Sequence, residues 1–257
     1  MTASGWIDRA RDLLDAVDAQ TEAIEEASRI CADAIAAEGL VHVFGTGHSR
    51  IPVEELFPRY GSYPGFHPLV ELSMTFHTQV VGSNGQRQAM FIERVEGLAQ
   101  AILDNFKLRS SDALMVFSHS GINAVPVEIA MLAKQAGLSV IAVTSLAQNA
   151  ATTPVHPSGT RMVDHADVVL DLATPAGDAL IHVDGFPAPI GPGSSLSAIA
   201  IANTVKVRTA ELLAEKGISL PVISSGDGSP GGDEAKDDLF ERAYGEHARR
   251  LKAVLRT

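Results

Sequence analysis

The sequence contains two short segments, rich in glycine and serine, whose residue types could hold a phosphate group. The first, residues 44–50, reads FGTGHSR and continues the apolar run LVHV. Gly45 and Gly47 would let a ligand approach the backbone, and Ser49 could cap the next helix and present its hydroxyl. The free amides at the start of a helix suit phosphate. Because Arg50 stands where a dinucleotide-binding fingerprint has its third glycine, the pattern favours a phosphate site over NAD binding.

The second segment, residues 117–126, reads FSHSGINAVP. It places Ser118, Ser120 and Asn123 where the apolar run ALMVF passes into a helical pattern, and Thr144 ends a further apolar run, VIAV. In open parallel sheets ligands bind outside the carboxyl ends of the strands, so these polar strand ends are expected to converge. Serine and glycine also cap helices where no ligand binds. One such turn is ambiguous, but several in succession favour a ligand site.

The histidines and the single cysteine indicate no metal site. His48 and His119 lie inside the two segments and are expected to line a pocket, whereas His42 alternates within a strand and is more typical of a structural residue. The other histidines have no ligand-like spacing, and the lone Cys31 excludes a CxxC site or a disulfide framework. We therefore expect no bound metal and no cofactor.

Carboxylates near the first segment could act as general acids or bases. Glu54 and Glu55 fall in the helix predicted just after this segment, and Glu96 lies further along the chain. Buried glutamates with shifted pKa values perform such proton transfers, whereas exposed ones only form a solvated helix face. Arg50 and Arg59 could steady the phosphate or an oxyanion, or could pair with the glutamates. The sequence leaves both alternatives open.

Several elements are needed to position these residues. Apolar residues recur at helical spacing before residue 38, and apolar runs then alternate with amphipathic segments as far as a long helix that ends at Gly217. Apolar strands separated by helices predict a parallel sheet covered on both faces, which is a three-layer α/β fold. We predict an N-terminal helical arm at residues 1–38, one domain at residues 39–225, and a loop with a C-terminal helix at residues 226–257 that packs on the same domain.

The composition argues against several other classes of protein. The chain has 257 residues and a formal net charge of −11, and its 20 Lys and Arg residues form no basic run, so we expect no nucleic-acid partner. An anionic substrate must then be bound by local geometry rather than by the field of the whole protein. No apolar run approaches the roughly 20 residues that span a bilayer, and the start of the chain lacks the pattern of a signal peptide. We therefore expect a cytoplasmic protein with no membrane partner.

The two segments and the strand end at Thr144 resemble the SIS (sugar isomerase) domain family over about residues 38–225. The stretches GHSRIPVEELFPRYG, ERVEGLAQ, HPSG and GDA resemble, more narrowly, a small bacterial SIS subfamily related to phosphosugar isomerases and to N-acetylmuramic acid 6-phosphate etherase. The resemblance implies a flavodoxin-like sheet, a homodimer, and a phosphate bound by Ser49, Ser118, Ser120 and Thr144. Asn123 occupies a place where many members have Ser or Thr, and its amide can still donate a hydrogen bond.

A homodimer would also use an apolar stripe on the N-terminal helical arm. Trp6, Leu13, Val17 and Ile24 lie on one face of the predicted helices. A thin three-layer domain would not fully cover such a stripe by itself. We therefore predict that the arm forms part of a dimer interface.

The resemblance to the etherase also assigns roles to carboxylates. The etherase uses a glutamate before Cys-Pro as an acid; the nearest match here is Glu55 in the stretch ELFP, and a one-residue gap keeps Glu54 as the alternative. The etherase has a second catalytic glutamate in Val-Glu-Gly-x-Glu, but the matching stretch here, residues 95–99, reads VEGLA. Glu96, three residues earlier on nearly the same helical face, could replace the missing group, or the reaction could differ.

Three functions are compatible with these residues. The leading one is a lyase or dehydratase that removes the C2 proton of N-acetylglucosamine 6-phosphate, or of a related amino-sugar 6-phosphate, and expels the C3 substituent, with Glu55 and Glu96 as the acid–base pair. The second is an aldose–ketose isomerase, which shares the first proton transfer. The third is a sensor that binds a sugar phosphate without catalysis. Carboxylates near the phosphate segment favour an enzyme over a sensor.

Overall fold

The two segments that could bind phosphate lie at one edge of a parallel sheet in the computed structural model, which describes residues 4–74, 85–224 and 232–256. The strands are β1 (Val41–Gly45), β2 (Phe66–Leu69), β3 (Ala113–Phe117), β4 (Ser139–Thr144) and β5 (Val168–Asp171), followed by a hairpin of β6 (Ala179–Ile181) and β7 (Ile190–Pro192). The helices are α1 (Ser4–Asp18), α2 (Thr21–Ala36), α3 (Ile51–Leu56), α4 (Gly85–Ile92), α5 (Leu98–Leu103), α6 (Ala124–Gln135), α7 (Leu146–Ala150), α8 (Ser194–Glu215) and α9 (Gly232–Val254). Short 3₁₀ turns cover Gly47–Arg50, Leu72–Met74 and Met162–His165.

The five-stranded sheet is parallel and has the strand order β2-β1-β3-β4-β5. In the central pair, Val43 of β1 lies opposite Met115 of β3. This order is flavodoxin-like, so the prediction of a three-layer α/β fold of this kind is confirmed. The chain leaves β1 toward β2 on one side and returns to β3 on the other, which places a crevice between the carboxyl ends of β1 and β3.

Both faces of the central strands are buried under helices. Val43 packs in one core with Cys31 of α2 and Ile201 of α8, whereas the next residue, Phe44, packs in a second core with Ile129 of α6. This double burial is the reason that β3 is apolar along its length and that β1 is apolar except at His42. Burial raises the pKa of Cys31 to about 12, so this residue acts as a small buried side chain and not as a nucleophile.

The N-terminal helices α1 and α2 are present as predicted, but their apolar stripe is covered by the rest of the chain. Leu13, Val17 and Ile24 are buried. Trp6 Nε1 donates a hydrogen bond to the carbonyl oxygen of Gly191 in β7 at 3.3 Å. The expectation that the domain leaves this stripe uncovered is therefore wrong, because α8 and the β6–β7 hairpin pack against these helices. That the arm takes part in a dimer interface stays a prediction. The homodimer itself and the predicted domain limits stay predictions.

The C-terminal helix α9 is anchored by a buried arginine. Arg250 Nη1 donates hydrogen bonds to the carbonyl oxygens of Ile35 and Gly39, both at 2.9 Å. Ile35 lies in the last turn of α2 and Gly39 three residues beyond its end, so Arg250 attaches α9 to this end of α2. Among the helices of the described residues, none is both long enough and apolar enough to cross a membrane.

Candidate functional site

Glycines shape the turn after β1, residues 46–50, which we call the first turn. A Cβ atom on Gly45 would lie 2.1 Å from the carbonyl oxygen of Ser49, so the chain can fold back on the strand end only with glycine there. Gly47 has a φ of 55°, in the left-handed region. The Ser49 amide donates to the carbonyl oxygen of Thr46 at 3.0 Å. Arg50 occupies the N-cap position of α3, so the prediction that Ser49 caps this helix is wrong.

The second turn, residues 118–123, links β3 to α6 and rests on the end of β4. Gly121 has a φ of 65°, and its amide donates to Ser118 Oγ at 3.2 Å. A Cβ atom on Gly121 would lie 3.2 Å from Thr144 Oγ1. Thr144 is fully buried, and its hydroxyl donates to the carbonyl oxygen of His119 at 3.0 Å. Two of the predicted phosphate ligands, Ser118 and Thr144, therefore hold the turn in shape.

Glu93, immediately after α4, connects the two turns, although the sequence did not single it out. Its Oε2 accepts a hydrogen bond from Thr46 Oγ1 at 2.7 Å, and its Oε1 accepts one from Asn123 Nδ2 at 2.8 Å. Its backbone carbonyl accepts a hydrogen bond from the Val125 amide, at the start of α6, at 3.0 Å. The carboxylate thus spans the crevice between the ends of β1 and β3, where sheets of this topology bind ligands.

Burial suits the Glu93 carboxyl to proton transfer. The side chain keeps 16% of its surface exposed. Burial raises its pKa above the ordinary glutamate value, and the hydrogen bond from Thr46 and the charge of Arg94 oppose this shift only in part. A carboxylate with a raised pKa is a stronger base than an exposed one and is more readily protonated to act as an acid.

His119 lies in the second turn and contacts the loop that leads to the β6–β7 hairpin. Its Nε2 is 3.1 Å from Thr174 Oγ1 and 3.9 Å from Asp178 Oδ1. Burial lowers the pKa of His119, and the charge of Asp178 acts in the opposite direction, so the imidazole is neutral at neutral pH. Asp178 Oδ1 also accepts hydrogen bonds from the amides of Gly193 and Ser194, which brings the start of α8 to the same edge of the sheet.

Arginines pair with the two glutamates of α3. Arg50 Nη1 is 3.4 Å from Glu54 Oε1, and Arg59 Nη1 is 2.7 Å from Glu55 Oε2. Glu54 is exposed, and Glu55 Oε1 accepts a hydrogen bond from Asn203 of α8 at 3.4 Å. Pairing with the glutamates, one of the two roles that the sequence left open for these arginines, is thus present, and their contact with a phosphate stays a prediction. Glu55 lies in α3 as expected but is engaged by Arg59 and Asn203, whereas the carboxylate between the two turns is that of Glu93.

Glu96 and His48 are both exposed. Glu96 lies in the turn between α4 and α5, before α5 begins at Leu98, so the prediction that it occupies a helical face is wrong. His48 lies within the first turn. The part of the chain that the structure describes contains no group of three or more His, Cys, Asp or Glu side chains that could hold a metal ion.

The signal that could have found Glu93 is faint. Glu93 stands three residues before Glu96 in ERVEGLAQ, one of the stretches that carry the family resemblance. Both glutamates belong to the short stretch ERVE between α4 and Gly97. Their local sequence therefore does not tell which of them is buried.

Known proteins resemble this chain in sequence and in fold. Residues 5–145 match the model of the SIS domain family. The chain is 39% identical to a UPF0309 protein of Streptomyces coelicolor over 95% of both chains, and 35% identical to a UPF0309 protein of Brucella abortus over 94% of this chain and 93% of that protein. A solved phosphoheptose isomerase from Francisella tularensis matches with a TM-score of 0.50 at 15% identity, over 82% of this chain and 100% of that one. At this identity the likeness shows the fold alone.

Proposed function

We propose a function for this chain, which belongs to the SIS domain family and, within it, to the UPF0309 proteins. In this proposal, the protein converts an open-chain aldose phosphate into the corresponding ketose phosphate at the carboxyl edge of its sheet. The SIS domain is a phosphosugar-binding domain, which gives the class of ligand. The reaction is inferred from the groups that meet in the crevice between β1 and β3.

The two turns supply the phosphate site of this proposal. Each contains a glycine in the left-handed conformation, Gly47 and Gly121, and backbone of this kind forms concave sites for anions. The hydroxyls of Ser49 and Ser120 lie within the same turns. Helix α6 begins directly after the second turn and adds the positive end of its dipole. His48 and Arg50, in the first turn, border this site.

The Glu93 carboxylate between the turns is the observation that carries the proposal. With the substrate held by its phosphate, Glu93 removes the proton from C2 of the open-chain aldose. The electrons of the C2–H bond form the C1–C2 double bond, the C1 carbonyl electrons move onto their oxygen, and this oxygen takes up the proton of the C2 hydroxyl, which leaves an enediolate charged at the C2 oxygen. Glu93, now a carboxylic acid, returns its proton to C1 as the carbonyl forms at C2. Neutral His119 can donate a hydrogen bond to the oxygen on which charge develops.

A single carboxylate of this kind suits isomerisation better than elimination. Isomerisation moves one proton from C2 to C1, which one base can complete, whereas elimination needs a base for C2 and an acid for the group that leaves C3. Glu96 is exposed and Glu55 is paired with Arg59, so neither is placed to serve as that acid. The lyase reaction on N-acetylglucosamine 6-phosphate is therefore the alternative that the experiment must separate from isomerisation.

Proton NMR in D₂O tests the proposal directly. The protein is incubated with a panel of aldose 6-phosphates that includes the amino sugars, and each product is identified. We expect a ketose phosphate, with deuterium at C1 of the product and at C2 of the remaining aldose wherever the proton on Glu93 exchanges with D₂O before it is returned. An unsaturated sugar would instead establish the lyase. If no substrate shows product or exchange while calorimetry still detects binding, the protein is a sensor and the enzymatic proposal fails.

A further inference from the structure

Helix α6 holds both ends of the turn that carries Glu93. At one end, the Val125 amide donates to the Glu93 carbonyl oxygen at 3.0 Å. At the other end, the Gly97 amide donates to the carboxylate of Glu128, with distances of 3.0 Å to Oε1 and 2.9 Å to Oε2. Residues 93–97 are therefore attached to α6 on either side of the turn. Since the same helix begins at the second turn, these contacts relate Glu93 to the phosphate site.

Gly97 has the geometry of an attachment point. Its φ is 81°, and it occupies the N-cap position of α5. A Cβ atom there would meet nothing within 4 Å, so the left-handed backbone, and not crowding, calls for glycine. Its amide is the group that Glu128 binds.

Glu128 is a buried carboxylate in an otherwise apolar part of α6. Its side chain is 9% exposed, and its neighbours Val127 and Ile129 are fully buried. A charge in such a place is unfavourable unless hydrogen bonds compensate it, so packing alone does not explain it. His156 Nε2 lies 3.3 Å from Glu128 Oε1, and its Nδ1 lies 2.7 Å from Ser158 Oγ. The imidazole is thus oriented toward the carboxylate.

We propose that Glu128 is a positioning residue for the reaction: by binding the Gly97 amide, with its carboxylate oriented by His156, it keeps the Glu93 carboxylate between the two turns. The assignment of Glu93 as the base rests on the proposed function, whereas the attachment of residues 93–97 to α6 does not. The competing explanation is that Glu128 only satisfies a buried amide and stabilises the fold. The two differ in what a change at Glu128 does to Glu93.

Two conservative variants distinguish the effect of side-chain length at position 128 from the effect of its charge. Glu128→Asp keeps the charge but shortens the side chain, so it loses the Gly97 amide; Glu128→Gln removes the charge but keeps an acceptor at the same distance. The first readout needs no substrate: the protein is labelled with carbon-13 in its glutamate carboxyls, and the Glu93 signal is assigned by its loss in Glu93→Gln. We expect Glu128→Asp to move the pKa of Glu93 toward the ordinary glutamate value more than Glu128→Gln does. Glu215→Gln, at the exposed far end of α8, is the control and leaves the titration unchanged.

The kinetic readout tests whether the effect passes through Glu93. A misplaced catalytic group costs up to about 10²-fold, so Glu128→Asp should lower kcat about 10–100-fold while KM stays within about threefold. In the Glu93→Gln background the same change should lower kcat by less than about twofold, because coupled residues are not additive. Equal losses in both backgrounds, or an unmoved Glu93 titration in Glu128→Asp, would overturn the positioning role. If the wild type isomerises no sugar phosphate, the proposed function fails and the titration alone decides on Glu128.

Discussion

Two regions of the molecule bury ionisable side chains, and burial has opposite effects on the pKa values in the two regions. At the carboxyl edge of the sheet, Glu93 is buried between two hydrogen-bond donors and keeps 16% of its side chain exposed. On β1 and β2, beneath α9, His42 Nδ1 lies 3.0 Å from His67 Nδ1, and the His67 ring is covered by Phe106 and His247, with ring centroids 5.2 and 6.2 Å away. The first group is partly open, whereas the second is sealed.

The electrostatic consequence differs between the two regions. Burial raises the pKa of Glu93 and so makes its proton transfer easier near neutral pH. Burial, followed by the nearby His42 and His247, lowers the pKa of His67 to about 3, so this ring stays neutral at physiological pH. A buried titratable group therefore becomes a candidate for chemistry when donors hold it at a crevice. A sealed group makes only the stability of the fold depend on pH.

The largest expected effect tests the first half of this comparison. Glu93→Gln should lower kcat by about 10²–10⁴-fold, because the amide cannot exchange the proton, while phosphosugar affinity stays within about threefold. Glu55→Gln and Glu96→Gln are matched controls and should keep kcat within about threefold. Steady-state kinetics and calorimetry measure both quantities. A loss in Glu55→Gln as large as in Glu93→Gln would move the catalytic role to α3.

The second-largest expected effect concerns the sealed region around His67 and is seen in the pH dependence of the free energy of unfolding. Unfolded His67 takes up a proton below its ordinary pKa of 6.5, whereas folded His67 does so only near 3. The stability that depends on its neutral form is therefore complete above pH 6.5 and is lost as the pH falls toward 3, by about 1.4 kcal/mol per unit. From pH 7.5 to 4.5 the free energy of unfolding should fall by about 3 kcal/mol from this group.

Denaturant unfolding of His67→Phe measures that contribution. The variant keeps an aromatic ring but cannot take up a proton, so its unfolding free energy should fall less between pH 7.5 and 4.5. His182→Gln, at an exposed position, is the control and should retain the wild-type pH dependence. The range stops above the pH at which Asp112 titrates: burial raises the pKa of that carboxyl, but the nearby His42 ring and hydrogen bonds from Arg109 and the Leu40 amide outweigh burial and hold it at about 2. An identical pH dependence in His67→Phe and wild type would show that the cluster is not sealed.

The smallest expected effect tests whether the two turns at the carboxyl edge of the sheet bind the phosphate. Ser49→Ala and Ser120→Ala should each weaken phosphosugar binding by about 1–3 kcal/mol, the scale of a hydrogen bond to a charged group. Ser219→Ala, at an exposed position beyond the end of α8, is the control and should leave the affinity unchanged. Titration calorimetry measures the difference. Unchanged affinity in both turn variants would place the phosphate elsewhere.

Much of the architecture was determined by the sequence alone. Apolar runs that alternate with amphipathic segments can bury themselves only between two helical layers, so the three-layer parallel sheet followed from periodicity. Its strand order and the identity of the phosphate turns were expected from the resemblance to the SIS family. The meeting of the second turn with Thr144 followed because parallel strands end at one edge. The close approach at Gly45 was expected for a ligand, and the structure shows it for the chain itself, at the Ser49 carbonyl oxygen.

The tertiary structure alone decided which carboxylate lies at the site and which surfaces are covered. Glu93 and Glu96 stand three residues apart in one polar stretch, yet only Glu93 lies between the turns. Its partners, Thr46 and Asn123, are 47 and 30 residues away in the sequence. The apolar stripe of the N-terminal helices is likewise covered by α8, far along the chain. Burial, and with it the pKa of a carboxyl, depends on contacts between residues that are distant in sequence, which local spacing does not encode.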